Sequence, residues 1–145
     1  ERGGLICRCG NRGCLETIAS GVAVSTLLGQ SRGHPVSMQN VMELVESGDR
    51  GACRAVADAG VCVGRVIASI VNVLNPKMVV IGGELATAGS VLFDPLRQAI
   101  NNGSIATAAE AVQVTSGELG DRAVVLGAAA LILSESPHDL LARVA

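Results

Sequence analysis

Apolar side chains recur at spacings of three and four from Leu15 through Ile18, Ala19 and Val22 to Ala23, which places them on one face of a helix. The pattern predicts a helix that reaches Leu28 and stops at Gly29. Ser37 reads as the N-cap of a short helix over residues 38–47, with Val41, Leu44 and Val45 as its buried stripe. Asp49 caps the longest predicted helix, residues 50–74, along which Val56, Gly60, Val63, Ile67, Ile70 and Leu74 step by three or four. From Gly60 to Val73 this helix is apolar nearly all round apart from Arg65, Ser69 and Asn72, which predicts burial between layers.

Asn75-Pro76 ends that helix, because proline lacks an amide donor and restricts the residue before it. Residues 77–81 form a nearly continuous apolar run, the pattern of a strand buried on both faces, and the run closes on Gly82-Gly83. A helix over 90–101 follows, with Leu92, Phe93, Leu96 and Ile100 inward. Residues 111–115 read as a second strand with Val112 and Val114 on one face, and Asp121 as the N-cap of a helix starting near Arg122. In that helix Gly127 to Ala130 are small enough for close packing. Residues 137–145 are a weakly amphipathic tail. Strands alternating with helices predict α/β layering. Two or three strands make a meagre sheet, so further strands are expected from an upstream segment or a partner chain. Leu5-Ile6 reads as a strand already in progress, which suggests a chain beginning inside a larger fold.

Composition narrows the class. The 145 residues suffice for one domain with a core of Val, Leu, Ile and Ala, since Phe93 is the sole aromatic residue. The net charge is −2, Lys77 is the only lysine, and the arginines are scattered, so the electrostatic footprint of a nucleic-acid binder is missing. No wholly apolar run reaches the length of about 20 residues that a membrane span needs, and the first residues do not resemble a signal peptide. Five cysteines, three of them clustered, fit a reducing compartment and metal binding better than a disulfide framework. A cytoplasmic protein is expected.

The cluster is Cys7-Arg8-Cys9-Gly10-Asn11-Arg12-Gly13-Cys14-Leu15-Glu16. On an extended segment Cys7 and Cys9 point to the same side. Gly10 and Gly13 permit the positive backbone angles that fold the chain back and return Cys14 to the same point. Zinc takes four tetrahedral ligands and favours thiolates, so the segment reads as a metal knuckle one ligand short. The competing reading is a turn with buried free thiols. His34, beside Pro35 in a polar loop, reads as solvent-exposed rather than as the fourth ligand. Cys53 and Cys62, nine residues apart on one helix, face opposite ways and read as core residues.

The pattern C-x-C-G-x-x-G-C-x-E resembles the signature of the ROK family of repressors, open reading frames and sugar kinases. The likeness extends to Asn75-Pro76-Lys77-Met78-Val79-Val80-Ile81-Gly82-Gly83 and to Leu126-Gly127-Ala128-Ala129. It implies an actin-like ATPase fold, of which residues 1–145 would be a single C-terminal fragment, with 1–16 as its zinc-type cysteine loop. It also implies structural zinc on Cys7, Cys9 and Cys14, with a histidine from an E-x-G-H motif upstream of Glu1, and a sugar contact from Glu16. Glu16 read without the family is equally a helix-start glutamate favoured by the macrodipole.

Gly82-Gly83 after a strand is weak evidence alone, because any tight turn uses such a pair. By resemblance it corresponds to the adenosine-side glycine loop of the kinases. Where those usually carry a third glycine this chain has Glu84, whose charge and bulk count against ATP. No catalytic residue stands out. The family's catalytic base is an aspartate of the N-terminal half, and Asp58 and Asp94 lie on helices without a partnered histidine.

The resemblance therefore implies the sugar-sensing effector part of a ROK-type transcriptional regulator. It would bind a sugar or sugar phosphate, contain zinc, form homo-oligomers, and reach DNA only through an N-terminal winged helix-turn-helix outside this sequence. The alternative is the C-terminal half of an ATP-dependent ROK sugar kinase such as a glucokinase. A stand-alone zinc-stabilised interaction module is a third and weaker reading.

Overall fold

The computed structural model describes residues 3–134. The tail predicted at 137–145 lies outside the described residues. The elements run α1 (Glu16–Ala19), α2 (Gly21–Arg32), α3 (Met38–Glu46), α4 (Arg50–Leu74), β1 (Met78–Ile81), a 3-10 turn (Glu84–Ala88), α5 (Ser90–Gly103), α6 (Ala106–Ala111), β2 (Gln113–Ser116), a second 3-10 turn (Gly120–Arg122) and α7 (Ala123–Ser134). The predicted helices and strands follow in the predicted order, with the first helix divided in two and α6 added before β2. Two strands pair in parallel, Met78 opposite Gln113 through Ile81 opposite Ser116.

Local chemistry explains most boundaries. Ser37 and Asp49 cap α3 and α4 as expected, accepting from the amides of Asn40 and Ala52. Asp49 also pairs with Arg32 at 2.7 Å, tying the start of α4 to the end of α2. α4 ends where Asn75 turns to φ 45°.

The first predicted helix is two helices. Ser20 takes an extended conformation, and its Oγ accepts from Ala23 N, starting α2 afresh. α2 passes through Gly29 and stops at Gly33, which has φ 76°. Gly29 serves a close approach instead: a Cβ there would stand 3.1 Å from the carbonyl oxygen of His34.

α4 is the spine, and α5 is its main partner. The buried side of α4 is Ala52, Val56, Ala59, Gly60, Gly64, Ile67 and Val71. Val56, Gly60 and Ile67 were expected there. Ile70 and Leu74 were also expected, but they are 43% and 70% exposed. The reason is the small-residue seam. A Cβ on Gly60 would stand 2.5 Å from Leu92 O, and one on Gly64 would collide with Leu96 O, so α5 lies against the glycine side of the helix. Burial between layers is likewise not met among the described residues, since Val66, Ile70 and Val73 lie uncovered. By length and composition alone α4 could cross a membrane, contrary to the expectation from the sequence. Its stripe packed on α5 is what a core helix shows.

The core forms two clusters. Val24, Leu28, Val41, Val45, Val56 and Phe93 join α2, α3, α4 and α5, while Ile67, Val71, Leu96 and Ile100 close the other end. Val79, Ile81, Val112 and Val114 pack against the second cluster, so the predicted shared face of Val112 and Val114 is present. β1 is not buried on both faces among the described residues, because Met78 and Val80 are exposed. α6 was not predicted. A 3-10 turn takes the place of a simple cap before α7, and no neighbour lies within 4 Å of a Cβ built on Gly127, so the expected close packing of α7 is missing among the described residues.

Candidate functional site

The cysteine segment folds back as its glycines require. An antiparallel bridge joins Ile6 and Arg12, Cys7 N donates to Asn11 O at 2.7 Å, and Gly13 N donates to Leu5 O at 2.9 Å. Gly10 and Gly13 hold φ 86° and 65°, conformations that disfavour a side chain. This hairpin brings the Sγ atoms of Cys7, Cys9 and Cys14 within 4.8 Å of one another, with Cys9 and Cys14 at 3.6 Å. Four thiolates around zinc at ~2.3 Å stand ~3.8 Å apart along each tetrahedral edge. The trio therefore fits one corner set of such a site. His34 is not in the group, in keeping with its reading as an exposed loop residue.

Proton affinities are consistent with a crowded thiol cluster. The Cys9 thiol is held below its usual value, first by the backbone amide of Asn11 and then by the thiols of Cys14 and Cys7. Cys14 is pushed up to about 11, first by its hydrogen bonds to Cys9 and Cys7 and then by desolvation and their charge. One thiolate is thus accommodated at the expense of the next. A divalent cation reverses that balance by neutralising the accumulated charge.

Glu16 opens α1 two residues after Cys14, exposed and without an ion pair among the described residues. Thr17 Oγ1 donates to Cys14 O at 2.7 Å, fastening this turn to the cysteine hairpin. The hairpin and the turn that carries Glu16 are thus joined by a side-chain hydrogen bond as well as by the chain. Cys53 and Cys62 are half-buried on α4 and stand outside the trio.

Gly82-Gly83 lies where β1 ends. Gly83 has φ 91°, and a Cβ on either glycine would meet no atom within 4 Å. The pair borders a cleft of about 540 Å³ beyond the carboxyl ends of both strands, with Thr87, Ser116, Gly117 and Glu118 around it and, among the described residues, no lysine or arginine in its lining. Glu84 faces elsewhere. Its side chain lines a cleft of about 660 Å³ between α2 and the 33–38 segment that leads into α3, where Oε2 stands 3.9 Å from the point a Cβ on Gly21 would occupy. The glycine pair and the carboxylate after it thus open onto two different hollows. The sequence pointed to Glu84 but not to this cleft. The available signal was the row of small residues Gly21, Ser25 and Gly29 at four-residue spacing along one side of α2.

A parallel strand pair carrying a glycine turn at its carboxyl end, with helices packed against it, makes this an α/β protein. The chain belongs to the ROK family, whose profile matches residues 1–135. A glucokinase from Thermotoga maritima is 32% identical over 149 residues, covering 91% of this chain and 46% of the relative. The DNA-binding transcriptional repressor Mlc of Escherichia coli is also 32% identical, over 132 residues, covering 85% of this chain and 32% of the repressor. In structure, a ROK family glucokinase from Streptomyces griseus in complex with glucose and AMPPNP superimposes with a TM-score of 0.75 at 27% identity, over 88% of this chain and 47% of that one. The chain spans between about a third and a half of the length of these relatives. Kinases and repressors match it equally well.

Proposed function

We propose that the chain is the sugar-sensing effector part of a ROK-type transcriptional regulator, acting in the cytoplasm as a homo-oligomer and reaching DNA through a domain outside this sequence. In this reading Glu16 accepts hydrogen bonds from a pair of sugar hydroxyls, for which a carboxylate's two oxygens are suited. Cys7, Cys9 and Cys14 hold a structural zinc. Bound there, the metal supplies a cross-link that fixes the hairpin, and the Thr17 contact to Cys14 carries that rigidity to Glu16.

The observation that carries the regulator reading is the charge around Gly82-Gly83. The cleft that the pair borders is lined by the carboxylate of Glu118, Glu84 follows the pair directly and projects towards Gly21 on α2, and neither adjoining cleft has an arginine or lysine in its lining among the described residues. A triphosphate approaching this end of the sheet meets like charge without a compensating cation. Saturable sugar binding by the protein in its full length, without sugar-dependent ADP release from ATP, is the expected result. Steady sugar-dependent ADP release would overturn it.

One observation favours the alternative, an ATP-dependent sugar kinase. The backbone of Gly82 and Gly83 is open to close approach, and Glu84 is turned out of the cleft that the glycines border. The same ADP measurement separates the two readings.

A further inference from the structure

We propose that the groove between α4 and α5 is a docking surface for an acidic α-helix of a partner protein. Arginines that are scattered along the sequence fall into line in the fold. Arg50, Arg54, Ala57, Val61 and Arg65 follow at intervals of four, three, four and four, which keeps them on one side of α4. Val91, Pro95, Gln98 and Asn102 form the facing row on α5, at intervals of four, three and four. Two hollows lie between the rows, one of about 760 Å³ beside Arg50 and Arg54 and one of about 250 Å³ beside Arg65. Pro95 lines both, so they join into one groove. From Arg50 to Arg65 it runs ~22 Å, the length of a helix of about four turns. Glu16, the cysteine trio and the glycine pair are not in its lining, so the surface is separate from the sites above.

The floor suits a helix. Ala57, Val61 and Pro95 are half-buried and Ala99 is buried, so the bottom is small and apolar. Beneath it α4 and α5 touch along the glycine seam, where a Cβ on Gly64 would stand 2.8 Å from Ala99 Cβ. The groove is therefore closed below and open above. A third helix laid along two packed helices buries its own apolar edge on such a floor.

Charge then selects the partner. Three arginines edge the groove on α4, the α5 side offers the uncharged Ser90, Gln98 and Asn102, and neither lining contains a carboxylate among the described residues. Arg50 and Arg65 form no ion pair among the described residues. Arg54 meets Asp58 through Nε at 3.1 Å, but both side chains are mostly exposed and the pair is weak. Its terminal nitrogens stay open to a second carboxylate. A two-fold pairing of this groove with its own copy would set arginines against arginines. A nucleic-acid backbone would find cations on one wall only and an apolar floor it cannot use, on a chain of net charge −2. A helix with carboxylates along one edge and small apolar residues beside them matches both the rim and the floor.

The test uses two fluorescein-labelled, alanine-based peptides of about 18 residues, long enough to be helical. One carries Glu at positions i, i+4, i+7 and i+11, and the other carries Gln there. Fluorescence anisotropy with the protein in its full length is expected to show saturable binding of the Glu peptide, about tenfold tighter than the Gln peptide, as three exposed ion pairs support. Replacing Arg50, Arg54 and Arg65 together by Gln should remove that preference, whereas replacing Arg8 and Arg12 on the cysteine hairpin should not. Ala57→Gln, which adds bulk to the floor without charge, should weaken both peptides. Circular dichroism melting checks that this variant is folded, and the arginine series keeps the proposal falsifiable if it is not. Equal binding of the two peptides, an undiminished preference in the triple variant, or an equal loss in the hairpin variant would each overturn the proposal. So would tighter binding of a short oligothymidylate than of the Glu peptide, which marks a nucleic-acid surface. A change of oligomeric state in the triple variant, read by sedimentation, would also overturn it by making the groove a contact between copies of this chain.

Discussion

The Sγ atoms of Cys9 and Cys14 lie 3.6 Å apart, close to the ~3.8 Å edge of a tetrahedron of thiolates around zinc. Five residues separate them in sequence, and the turns at Gly10 and Gly13 close that interval. If the hairpin is a metal knuckle, Cys14→Ser lowers the zinc retained after dialysis by more than about tenfold, since a first ligand matters at least as much as its supporting shell. Plasma emission spectrometry of the dialysed protein measures this. Retention equal to the wild-type protein would contradict the assignment of Cys14.

The sugar role proposed for Glu16 predicts a separation of binding from stability. Glu16 is exposed and has no ion-pair partner among the described residues, so Glu16→Gln leaves the melting temperature within about 1–2 °C of wild type, as expected for a surface site. The affinity for the recognised sugar falls by about tenfold or more, the loss of a charge-assisted hydrogen bond. Calorimetric titration with a panel of hexoses and pentoses checks it, and unchanged affinity would remove Glu16 from the site.

The seam between α4 and α5 predicts an asymmetry among glycines. A Cβ on Gly64 would collide with Leu96 O and stand 2.8 Å from Ala99 Cβ, so Gly64→Ala forces the helices apart and costs about 1–3 kcal/mol. Gly127 meets nothing within 4 Å, so Gly127→Ala is neutral or stabilises by up to ~1 kcal/mol through helix propensity. Urea denaturation of the two variants measures the contrast.

Asp49 predicts a pH dependence. The amide of Ala52 first, and then the side chain of Arg32, hold its carboxyl below the ordinary value of 3.8. A carboxyl with a depressed native pKa stabilises the fold above the unfolded-state pKa and loses that contribution as pH falls through the native one. Between neutral pH and pH 5 the difference in stability between wild type and Asp49→Ala therefore stays constant, and it shrinks as acid is added below about pH 4. Thermal melts across that range check it. Arg32→Ala should show part of the same effect.

Much of this architecture was readable from local chemistry. Ser37, Asp49 and Asn75 mark boundaries because capping and left-handed termination depend on a few adjacent atoms. The inward set Leu92, Phe93, Leu96 and Ile100 was readable because one partner covers one face of α5. What was not readable depended on distant partners. Ile70 and Leu74 fit the helical period as well as Val71 does, and only the glycine seam against α5 decides which side is buried. Gly29 looks like a stop signal until the carbonyl of His34 is placed against it. Of the candidate site, the cysteine trio was legible because its geometry is local. The direction of Glu84 was not, because a 3-10 turn after Gly83 sets it and α2 supplies the other wall.

The most direct test of the central claim is a coupled assay of ADP release by the protein in its full length, with ATP, magnesium and a sugar shown by calorimetry to bind. The account predicts saturable sugar binding that depends on Glu16, with ADP release at the no-sugar background. Sustained ADP release that rises with sugar concentration would contradict it and make the chain part of a kinase.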